Sequence, residues 1–267
     1  MRKHYPGSVS LLGRVIFYVV LVTCCANAQQ ASGPPADSLA FFYRNPQPER
    51  LAEILTDMQD RALRWDAYPP VTGLLAAVFN RHPEQIDQLV PAVKDVKAAY
   101  ALITASRLSG QPAKAQLLRD KFASIGFDEK LNAEFAGIPT RFEDLKITRP
   151  THLDILWGAS FADGDERYVV PIIDYFAATA NESELAALEV TKAAVEMAGG
   201  PKGAIRSMKE KYGDARTMQF IFAATALWAI RSNTLQHPFV RQTIARYIGD
   251  HPSTPATKAL SAATGIK

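Results

Sequence analysis

The chain has 267 residues, with 30 lysines and arginines, 27 aspartates and glutamates, and a formal net charge of +3. Arg2, Lys3 and Arg14 account for the excess, so the chain after residue 28 is balanced at 27 charges of each sign and gives no electrostatic reason to propose nucleic acid as a partner. Both cysteines, Cys24 and Cys25, lie in the same N-terminal segment. This excludes a disulfide framework, a thiol nucleophile and a cysteine metal site from the rest of the chain.

Residues 1–28 have the pattern of a secretory signal peptide. The basic start is followed by an apolar run over residues 15–25 and by a small-x-small sequence at residues 26–28. Eleven apolar residues are too few for a membrane span, which needs about 20. We therefore expect an exported, periplasmic chain that spans no membrane after cleavage. Lipoprotein modification at Cys24 is the alternative, although Thr23 fits poorly because a small residue normally precedes the modified cysteine.

The chain from residue 29 reads as helices separated by short turns. Residues 29–36 are expected to form a disordered tail, and residues 37–44 a short helix that the prolines at 46 and 48 end. Tyr68, Pro69 and Pro70 are predicted to form a loop. Apolar residues at helical spacing predict further helices at residues 49–65, 71–81, 92–109, 112–124 and 131–135.

A weak internal repeat lies among these helices. Residues 74–90 align with residues 103–119 at a shift of 29, which pairs Pro83 with Pro112. Helix, short turn with proline or glycine, helix is the unit of α-solenoids such as tetratricopeptide and HEAT arrays. The sequence therefore predicts an all-α fold of stacked, solenoid-like helical hairpins, although the tetratricopeptide signature itself is absent.

Residues 126–149 are the least helical part of the chain after the tail. We place a boundary here between two helical lobes, residues 37–145 and residues 146–267. Residues 151–180 follow and hold the densest run of aromatic and aliphatic side chains, which predicts a helix, a tight acidic turn and a second helix.

Local signals define this hairpin. Thr151 and Asp154 have the spacing of a capping box. Gly158 is small enough for a close helix crossing, as is the alanine after it. Gly164 suits the left-handed position that ends a helix, and the aspartate after it suits the start of the next. Pro171 then falls inside the second helix, so either the helix kinks there or it begins near Pro171 and residues 165–169 form a separate turn.

The rest of the chain is also predicted to be helical. Asn181 and Glu184 have capping-box spacing before a helix that runs to residue 198, and Pro201 is expected to open residues 202–212. Residues 215–232 include fourteen consecutive uncharged residues, which predicts a buried central helix. Segments at 238–248 and 254–263 bring the expected total to ten to twelve helices.

Titratable residues offer candidate chemistry, each with a structural alternative. The four histidines after residue 28 lie at predicted helix junctions, where they form either an assembled metal or acid-base set or, as we favour, polar residues at turns: His82, His152, His237 and His251. Asp163, Asp165 and Glu166 suggest calcium, but Arg167 stands at a ligand position, so helix capping is favoured. No spacing typical of zinc sites or nucleophile elbows occurs.

Two further motifs have structural alternatives that we favour. Residues 199–203, GGPKG, could hold a phosphate at a helix N-terminus, but they lack the Walker spacing, so a helix C-cap is the default. Trp157 and Trp228 are expected in the core, whereas Trp65 is undecided between the core and a binding groove.

The segment LDILWGASFADGDERYVVPII, residues 153–173, resembles a segment of uncharacterised exported all-helical proteins of Gram-negative bacteria. The matching positions are Leu153, Asp154, Trp157, Phe161, Gly164 and Asp165. Those proteins typically continue the second helix without proline, so Pro171 is a departure. The resemblance implies export and helical repeats and transfers no catalytic residue.

These observations favour a helical-repeat module that binds a protein or peptide partner in the cell envelope, alone or as part of an envelope complex. We predict no catalytic residue, cofactor or metal. An all-α enzyme or small-ligand carrier with a pocket between the lobes is the alternative. The candidate interaction surface comprises Asp163, Asp165, Glu166, Arg167, Tyr168 and Trp65.

Overall fold

A computed structural model describes residues 39–267, which are mostly helical, with an isolated bridge between Ser109 and Arg141 and no strand among them. Twelve α-helices lie within them, so the predicted all-α class is confirmed. They are α1 Leu51–Asp60, α2 Tyr68–Arg81, α3 Gln85–Leu89, α4 Val96–Leu108, α5 Pro112–Lys121, α6 Glu129–Ala136, α7 Pro150–Asp163, α8 Val170–Ala180, α9 Glu184–Met197, α10 Ala204–Gln236, α11 Pro238–Asp250 and α12 Pro255–Thr264. The signal peptide, the Cys24 site and the tail were predicted at residues outside this description.

The contact between α2 and α7 is the most extensive of the described part, and a glycine from each helix makes it possible. A Cβ added to Gly73 would lie 1.8 Å from the carbonyl oxygen of Ile155, and one added to Gly158 would lie 1.7 Å from that of Pro70. The two backbones therefore touch, as predicted for Gly158. Pro70 lies against Gly158 and Arg81 hydrogen bonds to Ala162, so the helices run in the same general direction.

On its other side, α2 packs against α4. The Lys97 ammonium lies 5.5 Å from the centre of the Tyr68 ring, so the two helices begin side by side. These residues are 29 positions apart, the shift of the sequence repeat. This agreement is consistent with an array of hairpins, while the solenoid itself stays a prediction.

Two predictions about α1 and α2 were wrong. Tyr68, Pro69 and Pro70 form the first turn of α2 instead of a loop. Residues in the first turn of a helix make no intrahelical hydrogen bond through their N–H groups, so proline loses no hydrogen bond there. The helix predicted at residues 49–65 ends at Asp60, and the chain turns at Ala62, whose φ is 51°.

The start of α9 also differs from its prediction. Ser183 is the N-cap, and its hydroxyl accepts a hydrogen bond from the Ala186 N–H at 3.0 Å. Asn181 keeps helical backbone angles and cannot cap α9. Its side-chain oxygen instead accepts from the Ala256 N–H at 2.9 Å, which ties α8 to α12.

The long α10 consists of two helices that meet at Gly213, where φ is 76° and ψ is 174°. The break agrees with the predicted gap between residues 212 and 215. The uncharged stretch is the buried central helix that was predicted, with buried residues Phe220, Ile221, Ala223, Ala224, Ala226, Leu227, Ala229 and Ile230. Pro201 does not open this element, because α10 begins at Ala204.

One buried core includes residues from both predicted lobes, and the α2–α7 contact crosses the predicted boundary. The division into lobes 37–145 and 146–267 stays a prediction. Within the described part of the chain, no helix combines the length and apolar character needed to cross a bilayer.

Candidate functional site at the acidic turn

The turn between α7 and α8 is built as its sequence predicts. Gly164 ends α7 with a φ of 68°, and the Asp165 carboxylate accepts a hydrogen bond from the Arg167 N–H at 2.8 Å. A 3-10 helix, Glu166–Tyr168, follows. Pro171 lies in the first turn of α8, so the separate-turn alternative is correct and α8 has no kink to explain.

Asp163 is the anchor of this turn, because its side chain is only 6% exposed. Its carboxylate accepts from the Asp165 N–H at 3.1 Å and lies 3.6 Å from the Arg81 guanidinium and 3.4 Å from that of Arg167. Burial raises the pKa of Asp163, and the Asp165 N–H and the two arginines oppose that rise. The residue therefore fastens α2 to the turn and is not available to a ligand.

An open groove of about 510 Å³ separates the turn from α11. Its lining combines charged, polar and aromatic side chains, from Gly164, Asp165, Glu166, Phe239, Gln242, Thr243 and Arg246. Glu166 and Arg246 form an ion pair that joins the two walls, and both side chains are about half exposed. The groove thus presents a carboxylate and a guanidinium that a bound segment could engage.

Four of the six predicted surface residues do not line this groove, namely Asp163, Arg167, Tyr168 and Trp65. Tyr168 is 2% exposed, and its ring packs edge-on against Phe142 with the centroids 4.8 Å apart. Burial raises its pKa. Trp65 is partly exposed and contacts Tyr100, but it lies beside the start of α2, away from the turn that follows the end of α7. The polar neighbours of Tyr168 and Trp65 in the sequence indicate neither the burial of Tyr168 nor the distance of Trp65 from the turn.

The histidines are dispersed and do not form one site. His82 is exposed and lies 3.3 Å from Glu84, and His251 bonds to the Tyr247 carbonyl of its own helix. His152 is buried at the start of α7, 2.8 Å from the Lys146 carbonyl, and burial lowers its pKa. Within residues 39–267, no group of three potential ligands is placed to hold a metal.

His237 has an environment that sequence reasoning missed. It is 1% exposed and enclosed by aromatic rings from three chain segments, those of Phe41, Tyr43, Phe161 and Phe239. The Tyr43 hydroxyl is 3.2 Å from Nδ1, while Nε2 is buried with no hydrogen-bond partner. Burial, aided by Arg44, lowers the pKa of His237 to about 4, so the ring is neutral at pH 7.

Asp154 is a second buried titratable group whose environment the sequence did not predict. The capping-box prediction was wrong because Arg149, extended before Pro150, is the N-cap of α7, which places Asp154 inside the helix. Its Oδ2 is buried without a hydrogen-bond partner, as is Nε1 of Trp157 one turn further on. Burial, with a smaller contribution from Asp66, raises the pKa of Asp154 to about 7.

The N–H groups at the end of the loop at residues 199–203 already bind an anionic side chain, that of Glu196. Glu196 accepts hydrogen bonds from the N–H groups of Gly203 at 3.2 Å and Ile205 at 3.0 Å, at the start of α10. Gly199 has a φ of 89° and Gly200 bonds back to Val195, so the predicted helix C-cap is confirmed. A phosphate would have to displace Glu196 from this position.

Trp157 is buried, as predicted, and stacks on the partly buried Phe161 with the ring centroids 6.1 Å apart. Trp228 is partly buried and packs against the core. The aromatic residues of α7 therefore form a structural centre, and the accessible part of the hairpin is its turn.

Comparisons with models of protein families, with curated proteins and with solved structures found no match for the chain.

Proposed function

We propose that the chain is an exported, periplasmic helical-repeat protein that binds a protein or peptide segment of the cell envelope. The binding surface is the groove between the acidic turn and α11. The observation that supports this proposal is the convergence of Asp165 and Glu166 with Phe239 and Arg246 around one open groove.

The chemistry of the groove favours a peptide of mixed character. The Glu166–Arg246 pair is solvent-exposed, and such pairs contribute only about 0–1 kcal/mol, so each partner can exchange its ion for one on a ligand. Phe239 supplies an aromatic surface for an apolar side chain. An enzyme or small-ligand carrier is less well supported, because none of the four histidines lines this groove, and His237, which packs on Phe239, is enclosed.

Site-specific photocrosslinking in the cells that produce the protein tests this proposal. A photoreactive residue replaces Gln242, which lines the groove, and in a second variant replaces Arg206, which is exposed on α10. We expect a discrete crosslinked adduct from position 242 and none of that mass from position 206.

Charge reversal then identifies the side chains that bind. Arg246→Glu should remove the adduct, while the double change Arg206→Glu with Glu210→Arg, which reverses an exposed pair elsewhere, should keep it. Equal adducts from positions 242 and 206, or an adduct unaffected by Arg246→Glu, would contradict the assignment of the groove.

A further inference from the structure

The helix α9 has an apolar outer face that is about half exposed. Its inner side packs on α10, with buried residues Ala186, Ala187, Val190, Ala193 and Ala194. On the outer side Leu185, Leu188 and Val195 are 44 to 48% exposed. Their spacing of three and seven residues is that of a coiled-coil seam, in which Lys192 occupies the one polar position. A stripe of this kind on a surface indicates a partner.

We propose that α9 binds the α9 of a second copy of the chain, in antiparallel orientation about a two-fold axis. An antiparallel pair centred on the stripe places Leu185 of each copy against Val195 of the other. Leu188 then packs on the aliphatic stem of the other copy's Lys192. The seam is about 15 Å long at 1.5 Å per residue, and the same patch serves both copies, as in the commonest dimers.

The charges on α9 select this orientation. Lys192 lies opposite Leu188 of the other copy, one helical turn from its Glu184, so each interface contains two Lys192–Glu184 pairs. A parallel pair would instead place the two Lys192 ammonium groups together. The antiparallel arrangement also opposes the two helix dipoles favourably.

The ion pairs that Glu184 and Lys192 form within one copy do not prevent Lys192–Glu184 pairs between two copies. Glu184 bonds to Lys258 at 2.6 Å, and Lys192 lies 3.9 Å from Glu189. Glu184 and Lys258 are both more than half exposed, and Lys192 is about half exposed. Exposed pairs of this kind contribute little, so Glu184 can turn from Lys258 to a lysine of the other copy.

Sedimentation analysis of the purified full chain over a range of concentrations is the first test. We expect the mass of a dimer at high concentration, dissociating on dilution. Leu188→Glu should weaken the association at least tenfold. The matched control is Leu235→Glu, at a leucine that is 72% exposed on α10, which should leave the association unchanged. Thermal unfolding by circular dichroism establishes that both variants fold.

A charge swap then tests the orientation. Lys192→Glu alone and Glu184→Lys alone should each weaken the dimer, and the double variant should restore it, because the pairs re-form with reversed sign. A monomeric mass at every concentration overturns the proposal. Equal effects of Leu188→Glu and Leu235→Glu, or a double variant no better than the single ones, would overturn it equally. The groove variants at Arg246 should leave the dimer intact, so the two proposals fail independently.

Discussion

The helix α7 carries two partly buried aspartates, one near each end, and their surroundings are opposite in kind. At its C-terminal end, Asp163 accepts a backbone N–H and is flanked by the guanidinium groups of Arg81 and Arg167. Near its N-terminal end, Asp154 has an oxygen that is buried without a hydrogen-bond partner. The same residue type on the same helix is therefore a satisfied anchor at one end and an unsatisfied acid at the other.

This difference separates carboxylates that the fold explains from one that it does not. A buried carboxylate with partners explains itself as structure, whereas one without partners costs stability and needs a further explanation. Acidic residues that are conspicuous in the sequence, as in the turn, turn out to be mostly caps and ion pairs. The unsatisfied groups, Asp154 and His237, lie at positions that the sequence marks as unremarkable junctions.

The largest expected effect is at the crossing that holds both ends of α7 in place. Gly158→Ala places a methyl group 1.7 Å from the Pro70 carbonyl oxygen, so α2 and α7 must separate. We expect a loss of about 3 kcal/mol in the free energy of unfolding, measured by urea denaturation.

The control is Gly249→Ala in α11, where an added Cβ meets nothing within 4 Å. That change should be neutral or should stabilise by up to about 1 kcal/mol, because alanine is the better helix former. Similar losses in the free energy of unfolding at Gly158 and Gly249 would contradict the assigned cause, which is the close contact between α2 and α7.

The second effect has the opposite sign and concerns the unsatisfied end. Asp154→Asn removes a carboxylate whose charged form is disfavoured by burial, so we expect a gain of about 2 kcal/mol in the free energy of unfolding near pH 8. Because the residue keeps some exposure, this value is below what complete burial would give.

The pH dependence makes this prediction specific. The pKa of Asp154 is about 7 in the folded protein and near 3.8 in the unfolded chain, so the folded state retains a proton that the unfolded state releases between these values. Stability from this group falls as the pH rises through that window and is level above it, so the gain from Asp154→Asn should vanish near pH 4.

His237 works in the other direction, because its folded pKa of about 4 lies below the ordinary value of 6.5. Its contribution to stability is therefore lost as the pH falls between those values. Both proteins keep His237, so the difference between wild type and Asp154→Asn isolates Asp154. A gain that does not change with pH would contradict the assigned cause.

The smallest effect belongs to the satisfied end. Asp163→Ala leaves the Asp165 N–H without its acceptor and removes the contact with Arg81, for an expected loss of about 1 kcal/mol by urea denaturation. Asp163→Asn keeps the acceptor oxygen and should cost less. A gain from Asp163→Asn as large as that from Asp154→Asn would remove the distinction between the two ends.

Much of the fold could be predicted because its signals are local. The helical spacing of apolar residues, the Gly164 and Asp165 turn and the small residues at the crossing all depend on neighbours a few positions away. Errors occurred where two local signals competed. Pro150 is the first residue of α7 and places the N-cap at Arg149, so the predicted capping box at Thr151 and Asp154 does not form. Ser183 caps α9 in place of Asn181.

The candidate site was predictable only in part. Asp165 and Glu166 were identified, but the other wall of the groove, with Phe239 and Arg246, comes from a helix more than seventy residues later. Burial of Tyr168 and the aromatic enclosure of His237 depend in the same way on residues from distant segments. No spacing within one segment encodes such a meeting, so tertiary packing had to be known first.

The α2–α7 contact also joins two helices that are synthesised at different times. Arg81, the last residue of α2, hydrogen bonds to Ala162, 81 residues further along. At a synthesis rate of roughly 5–20 residues per second, these 81 residues take about 4–16 seconds to make, so α2 is complete that long before the end of α7. During that interval its glycine-lined apolar side has no cover from α7. The fold's topology therefore leaves this side of α2 open to other contacts during synthesis, which equilibrium measurements on the finished protein do not report.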